Sequence, residues 1–421
     1  MYFDYDASLL RQAIAHLKAK EYDSARRYLE RALEVTFDFD IKLRANFYLS
    51  QITSAPELKR KYLEGALAVN PSFAPAIRAL AILDGKLKPE EIVDADQLPA
   101  QSTETQNVKA DRFVCSKCGS RMVFDGDGQT LVCESCACQE ALEKRACGDE
   151  QDFVVVMATG QGQREPVAMK TFKCQGCGAQ FILPPEVISE TCSYCGSVYV
   201  LAGTRELVEP DSIIPMAFNQ REAARYLAQW VEKYKIEHQG KIPAPRGLYL
   251  PIWTFDIVGN VPWHGVIPSE RCMTQVSGQK VASFDDIVVY GTRKLADLLP
   301  KIIQDFSLGS GAPYDARYLA GWPAEIYQKA MAEASLDARK QAAERVRETI
   351  HREGGMTSDL HYNTGDLGIV SFKLALVPVW ITEYTLEDHR YRVIVNGQTG
   401  SVYGEQAQGG VVGWLGKVLG G

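Results

Sequence analysis

The stretch CQGCGAQFILPPEVISETCSYCG, Cys174 to Gly196, holds two C-x-x-C pairs separated by fourteen residues. The same arrangement occurs once before it, as Cys115, Cys118, Cys133 and Cys136, with every cysteine displaced by 59 positions. A constant offset across four residues means a tandem duplication. Gly119 and Gly178 follow the first pair of each copy, where a metal knuckle needs a residue tolerant of positive φ, and Gly196 follows Cys195. Between the first copy's pairs, RMVFDGDGQTLV predicts a hairpin that brings its two ends to one ion. Four thiolates at this spacing predict a closed tetrahedral Zn²⁺ site with no open position for a substrate. Binding of a structural zinc contributes about 10–16 kcal/mol in small modules, so two such ions would act as folding pegs.

The first copy departs from the second after Cys136, which is followed by Ala137 and Cys138, with Cys147 close by. Cys138 is open as a competing ligand; the other reading leaves Cys138 and Cys147 as spare thiols. The run FVVVMATGQGQREPVAMKTF between the copies predicts another hairpin, with Gly160 to Pro166 as its turn, joining both metal sites into one β module.

The bulk composition is that of a globular protein. The 421 residues are too many for one ordinary core, and 46% are hydrophobic and 24% charged. MYFDYDASLL carries acids where a secretory leader needs bases, and no run approaches the roughly 18 apolar residues of a membrane span. A cytoplasmic address is the expectation. Eleven cysteines in such a chain, eight of them in C-x-x-C pairs, point to metal rather than disulfides. The net charge is −7, and residues 113–200 carry seven Lys or Arg against eleven Asp or Glu. Two zinc ions on eight thiolates would make that region more negative still. A phosphate backbone would be repelled, which argues against nucleic acid as the partner. No βαβ pattern surrounds the pairs as a redox use would need, and DGDG at Asp125 lacks the twelve-residue calcium loop.

Residues 1–93 contain a repeat. RRYLERALEV (Arg26 to Val35) and RKYLEGALAV (Arg60 to Val69) match at an offset of 34, the period of a tetratricopeptide repeat. The expectation is two degenerate repeats capped by a helix from Pro75 to Leu83. They form either a docking surface for a protein partner or helical padding against the rest of the chain. Residues 94–112 are polar and aperiodic and predict a linker.

Residues 206–404 predict a duplicated α+β domain. Asn219 and Glu222 are spaced as a capping pair, and Leu227, Trp230, Val231 and Tyr234 fall on one helical stripe. A strand-like LYLPIWTFDIVGNV follows. A second helix-rich stretch, residues 323–355, precedes LALVPVWITEYTL, so Leu250 to Trp253 and Val377 to Trp380 are equivalent steps of two copies. Proline in a strand predicts an edge or a bulge, with Trp253 and Trp380 packing sheet onto helix or, alternatively, offering a stacking platform. RYRVIVNGQTGSVYG predicts a closing hairpin turning at Asn396-Gly397.

Catalytic groupings do not emerge. Cys272 stands alone, His264 has no orienting acid beside it, and His351, His361 and His389 lack metal spacing. Neither the phosphate-loop pattern nor the nucleophile elbow occurs in the sequence. No small-molecule substrate is indicated.

The second ribbon followed by IIPMAF, GLYLPIWTFD, YLAGWPAEIY, VPVW and VNGQTGSVYG resembles a bacterial and archaeal family of transcription-factor-IIB-type zinc-ribbon proteins, often described as primosomal-helicase-like. The resemblance spans Phe172 to Gly404. It implies a zinc-stabilised accessory protein, associated in some members with membrane-stress or band-7 (SPFH-type) membrane proteins, with Cys174, Cys177, Cys192 and Cys195 as metal ligands. This chain adds the N-terminal repeats. It ends in GGVVGWLGKVLGG, a Gly-rich tail (residues 405–421) expected either to be unstructured or to make a peripheral contact at the inner membrane face or in a partner groove.

The resulting expectation is a multidomain α+β chain: tetratricopeptide-like repeats (1–93), linker (94–112), tandem zinc ribbons (113–205), duplicated α+β domain with an antiparallel sheet (206–404) and tail. Its function reads as a non-enzymatic scaffold binding protein partners. The alternatives are a nucleic-acid-associated factor using the ribbons, and an enzyme with a pocket between the duplicated halves.

Overall fold

The computed structural model describes residues 5–93, 106–107, 110–125, 130–142, 150–164, 170–173, 180–183, 187–191 and 198–201. Beyond these it describes 207–268, 273–293, 298–354, 358–387, 389–405 and 411–414. Cys147, Cys174, Cys177, Cys192, Cys195 and Cys272 lie outside the described residues.

The N-terminal region is helical: α1 (Tyr5–Lys18), α2 (Tyr22–Val35), α3 (Phe39–Ile52), α4 (Pro56–Val69) and α5 (Ala74–Leu83). Both α1 and α3, and α2 and α4, start 34 residues apart. Equivalent positions carry equivalent burial. Leu9 and Leu43, Leu29 and Leu63, and Ala32 and Ala66 all point inward. The alanines let neighbouring helices approach while the leucines fill the space between them.

A terminal cap would turn a polar face outward, and α5 does not. It buries Ala76, Ile77 and Ala81, and Ile77 belongs to the main core of the molecule. Ala81 and Leu87 pack on Ala158, whose carbonyl accepts from the Val93 N–H at 2.9 Å. This last helix is therefore a joint to the rest of the chain.

Short strands follow: β1 (Gln106–Asn107), β2 (Ala110–Arg112), β3 (Met122–Phe124), β4 (Thr130–Cys133), β5 (Gln139–Ala141) and β6 (Gln151–Asp152). Two of these, β1 and β2, fall in the stretch read as linker, and they pair with later strands. The run read as a hairpin between the cysteine quartets starts as a helix, α6 (Phe153–Ala158). Asp152 caps it, its carboxylate accepting from the Val154 and Val155 N–H groups, and Gly160 at φ +78° ends it. Phe153 wedges edge-on against Phe255 and Phe372, and β6 pairs with the main sheet. A cap and tertiary packing thus override the β preference of Val154–Val156.

The remaining strands are β7 (Lys170–Lys173), β8 (Gln180–Leu183), β9 (Val187–Thr191), β10 (Val198–Leu201) and β11 (Ser212–Ile213). After α7 (Gln220–Tyr234) come β12 (Arg246–Pro268) and β13 (Met273–Tyr290), then α8 (Leu299–Ile302), β14 (Ala312–Pro313) and β15 (Ala324–Glu325). The chain continues through α9 (Met331–Gly354), β16 (Ser358–Tyr362), β17 (Gly368–Leu386), β18 (His389–Asn396), β19 (Val402–Glu405) and β20 (Val411–Trp414). The main sheet runs β2-β10-β9-β15-β12-β17-β18-β19-β20. Four residues of the tail are thus an added strand, β20, antiparallel to β19.

At the centre, β12 and β17 pair antiparallel from Arg246↔Ile381 to Val258↔Gly368. One face of this pair buries Tyr249, Trp253, Leu374 and Trp380 in the main core; the other buries Leu250, Ile252, Val377 and Val379 under α8. Burial on both faces explains the near-continuous apolar sequence of both strands. The helix α9 lays Ala334, Ala338, Ala342, Val346 and Ile350, one every four residues, against the sheet.

The prolines are therefore neither at an edge nor at a bulge. The Pro251 carbonyl accepts from the Gly291 N–H and the Pro378 carbonyl from the Gly397 N–H, each at 2.9 Å. Before each proline the outer neighbour is a parallel strand, β15 beside Tyr249 and β11 beside Ala375 and Leu376. After it the neighbour is an antiparallel hairpin partner, beginning at Ile252↔Tyr290 and Val379↔Asn396. Each proline sits where one outer neighbour hands over to the next, and no ladder bond is lost.

The closing hairpin also turns differently. Gly400, at φ +77°, takes the left-handed position, and the Asn396 side chain accepts from the Gln398 and Thr399 N–H groups. Gly397 serves close approach instead, since a Cβ there would meet Met216 Sδ at 2.7 Å and Pro378 Cβ at 2.8 Å. The capping pair is present as expected: Asn219 accepts from the Arg221 and Glu222 N–H groups, and Glu222 accepts from the Asn219 N–H.

Candidate metal centre

The strands β3, β4 and β5 form a three-stranded antiparallel sheet, with Met122 opposite Cys133 and Thr130 opposite Ala141. At one end two backbone knuckles face each other. In the first, the Gly119 N–H donates to the Cys115 carbonyl at 2.8 Å and the Cys115 N–H to the Ser120 carbonyl at 2.8 Å. In the second, the Ala137 N–H donates to the Cys133 carbonyl at 3.0 Å and the Cys133 N–H to the Cys138 carbonyl at 2.9 Å. Both knuckles need a left-handed residue after their second cysteine: Gly119 has φ +71° and Ala137 φ +52°. Alanine holds that conformation at a cost of about 1–2 kcal/mol. The absence of glycine after Cys136 therefore does not prevent the turn.

The Sγ atoms of Cys115, Cys118, Cys133 and Cys136 lie within 4.8 Å of one another. The Cys115–Cys136 separation is 3.6 Å, Cys118–Cys133 3.4 Å and Cys118–Cys136 3.5 Å. Four thiolates bound at about 2.3 Å to one tetrahedral ion place their sulfurs about 3.8 Å apart, so this spacing suits a metal ion. Cys138 stands apart, its thiol 4.0 Å from the Gln139 carbonyl. Cys115 and Cys133 are buried, whereas Cys118 and Cys136 are exposed.

Electrostatics of the donor set favour a cation. Donation from the Ser120 backbone holds the Cys118 thiol down to about 6. The Cys115 thiol is also lowered, by the Cys118 and Lys117 backbone N–H groups. The Cys138 backbone N–H pulls Cys136 down, but the sulfurs of Cys118, Cys133 and Cys115 outweigh it and push this thiol up to about 12. Four sulfurs this close cannot all ionise alone; a divalent ion removes the repulsion. Each ligand must lose its proton to bind, so the affinity for an ion would rise with pH and a bound ion would be released on acidification.

The quartet is anchored to the central sheet through YLAGW. The Phe124 N–H donates to the Ala320 carbonyl at 2.7 Å, the Trp322 indole N–H donates to the Phe124 carbonyl at 3.2 Å, and Phe124 meets Tyr318 edge-on at 5.0 Å. Gly321 at φ +92° lets Val123 approach. Trp322 then stands edge-on to Trp380 at 5.4 Å and lies where a Cβ on Gly247 would be, 2.5 Å from its ring. Sequence reading did not pick out Trp322. Its only signal was its place in YLAGWPAEIY, one of the segments that carry the family resemblance.

Trp253 and Trp380, the candidate platforms, are 0% and 2% exposed. Trp253 packs on Tyr327 and Phe372, and Trp380 stacks on Phe218 at 6.3 Å. They are core residues. Among the histidines, His351 lies on α9 and His389 on β18, while His264 on β12 and His361 on β16 are brought directly opposite each other. A carboxylate group, Glu150, Asp256 and Asp285, also lies within 4.8 Å. Two of its three members are already engaged, Glu150 with Lys373 at 2.8 Å and both Glu150 and Asp256 with the Ser371 hydroxyl.

No helix among the described residues is long and apolar enough to cross a membrane. No family model matches the chain, and no solved structure does. The chain is similar to the uncharacterized protein YdjG of Bacillus subtilis (strain 168), 27% identical over 335 residues that cover 73% of this chain and 94% of that protein.

Proposed function

We propose that this chain is a non-enzymatic, zinc-stabilised adaptor for a protein partner. The observation that carries this reading is an apolar patch at the seam between helical repeats and sheet. A cleft of about 450 Å³ there takes its apolar lining from Phe39, Leu43, Val69 and Pro71 of the repeats and Val258, Val281 and Ala282 of the sheet, with Asp40, Asn70, Asn260, Ser283 and Asp366 as its polar lining. Phe39 is 72%, Val281 77% and the neighbouring Phe37 91% exposed. Large apolar side chains left open side by side mark a protein-binding surface.

In this reading the helical repeats are of the tetratricopeptide type and supply half of the docking surface. Cys115, Cys118, Cys133 and Cys136 hold one structural zinc, and Cys174, Cys177, Cys192 and Cys195 hold a second. With every position taken by thiolate, neither ion has a place for a substrate. The family resemblance makes membrane-stress or band-7 proteins the expected class of partner, met peripherally at the cytoplasmic face of a membrane.

The test is purification of the tagged chain from its native cells with and without nuclease, in parallel with a Phe37→Ser/Phe39→Ser variant. The expected result is one protein partner that survives nuclease and is lost from the variant. Polymerase or nucleic acid that disappears on nuclease treatment would overturn the adaptor reading in favour of a nucleic-acid factor.

A further inference from the structure

The chain has six histidines. His16 bonds Glu21, His238 the Gly240 carbonyl and His389 the Glu387 carbonyl, and His351 is also engaged. The two that remain, His264 and His361, face each other. Their rings are 5.0 Å apart, and neither has a hydrogen-bond partner among the described residues. Both are exposed, directly opposite on the antiparallel strands β12 and β16, with Ser277 of β13 beside His264 on its other side. They border a groove of about 510 Å³ with Trp263, Gln279, Tyr362 and Asn363.

Two open imidazoles at one spot can serve an anion, if both are protonated, or a metal ion, if both are neutral. Protonating both would set like charges face to face, and the groove lining contains no Lys, Arg, Asp or Glu to moderate them. A metal ion uses the neutral forms. Metal–nitrogen bonds of about 2.0–2.1 Å place two imidazole centroids on one tetrahedral ion about 5 Å apart, the separation found here. The rings lie stacked with planes 20° apart, and rotation of these exposed side chains about χ2 turns a nitrogen of each onto a shared ion. The lack of a carboxylate disfavours Ca²⁺ and Mg²⁺, which need oxygen ligands, and favours borderline ions that accept imidazole.

We propose that His264 and His361 form a second kind of metal site, a two-imidazole surface site for a transition ion of the Zn²⁺, Ni²⁺ or Cu²⁺ class. Its remaining coordination positions open into the groove, available to water or to a donor from another molecule. The site is independent of the thiolate quartet in both ligand type and position.

The test uses full-length, untagged, zinc-loaded protein with ¹³C-labelled histidine Cε1 and Ni²⁺ as the probe. Paramagnetic Ni²⁺ should broaden two of the six imidazole signals first, assigned as His264 and His361 by single His→Ala variants. In His264→Ala the broadening of His361 should need at least about tenfold more Ni²⁺, because loss even of outer support for a metal ligand costs 10–100-fold in affinity. Both side chains are exposed, so the variants should keep the parent's circular dichroism. Broadening of His16, His238, His351 or His389 at the same or lower Ni²⁺ overturns the site. So does a His361 response in His264→Ala that matches the parent's.

Discussion

The two central strands make the same steps 127 residues apart and satisfy them differently. Pro251 and Pro378 mark the same change of outer neighbour, and Trp253 and Trp380 follow at the same distance. Yet the Trp253 indole N–H donates to the Lys329 carbonyl at 2.9 Å, whereas the Trp380 indole N–H, equally buried, has no partner among the described residues. The backbone arrangement was kept; the polar environment around it was not. Trp253 lies where the chain enters α9, and Trp380 lies where Phe218 and Trp322 close over it, the latter tied to the cysteine quartet. Trp253 serves the α9 side of the sheet, and Trp380 serves the contact that joins the β3–β5 sheet to it.

The largest effects should test whether both tryptophans carry the core. Trp253→Ala and Trp380→Ala should each cost about 3–5 kcal/mol in denaturant unfolding, the usual range for a buried aromatic. A loss below 1 kcal/mol at either position breaks the equivalence. Phenylalanine sharpens it. Trp253→Phe strips the Lys329 carbonyl of its donor, while Trp380→Phe removes an orphan N–H, so the former should be the more destabilising by about 1–3 kcal/mol.

Next comes the link between the central sheet and the β3–β5 sheet. Trp322→Ala should cost about 2–3 kcal/mol and speed amide hydrogen exchange in β3–β5 more than in β12. Equal exchange in both regions would show that the β3–β5 sheet does not depend on Trp322. The smallest effects belong to the two knuckles. A Cβ on Gly119 meets nothing within 4 Å, so Gly119→Ala carries only the backbone cost of about 1–2 kcal/mol, read as weaker metal affinity. Ala137→Gly should strengthen that affinity by up to about 1 kcal/mol.

Local and repeated features were legible in the sequence. The 34-residue offset located α2 and α4, Asn219 and Glu222 marked the start of α7, and C-x-x-C spacing located the quartet. Features set by distant residues were not. Val154 to Val156 read as strand because nothing nearby tells of Phe255 and Phe372, which hold Phe153 from more than 100 residues away. The strand prolines looked like edge markers because a sequence shows a missing donor without showing which neighbour would have received it. His264 and His361 are brought together only by the register of β12 on β16.

The position of β17 has a temporal consequence. Its outer edge is shared in succession by β6, β11 and β18, and its inner edge is held by β12. Three of those four strands leave the ribosome before their common neighbour exists. The pairing of Gln151 with Phe372 spans about 220 residues, which at about 5–20 residues per second takes roughly 10–45 s to synthesise. Throughout that interval the helical repeats can already be folded, while Phe153, Trp253 and Phe255 wait uncovered for the strand that will bury them. The nascent chain is thus most exposed to aggregation late in synthesis, and a truncation before Gly368 would leave it in that condition permanently.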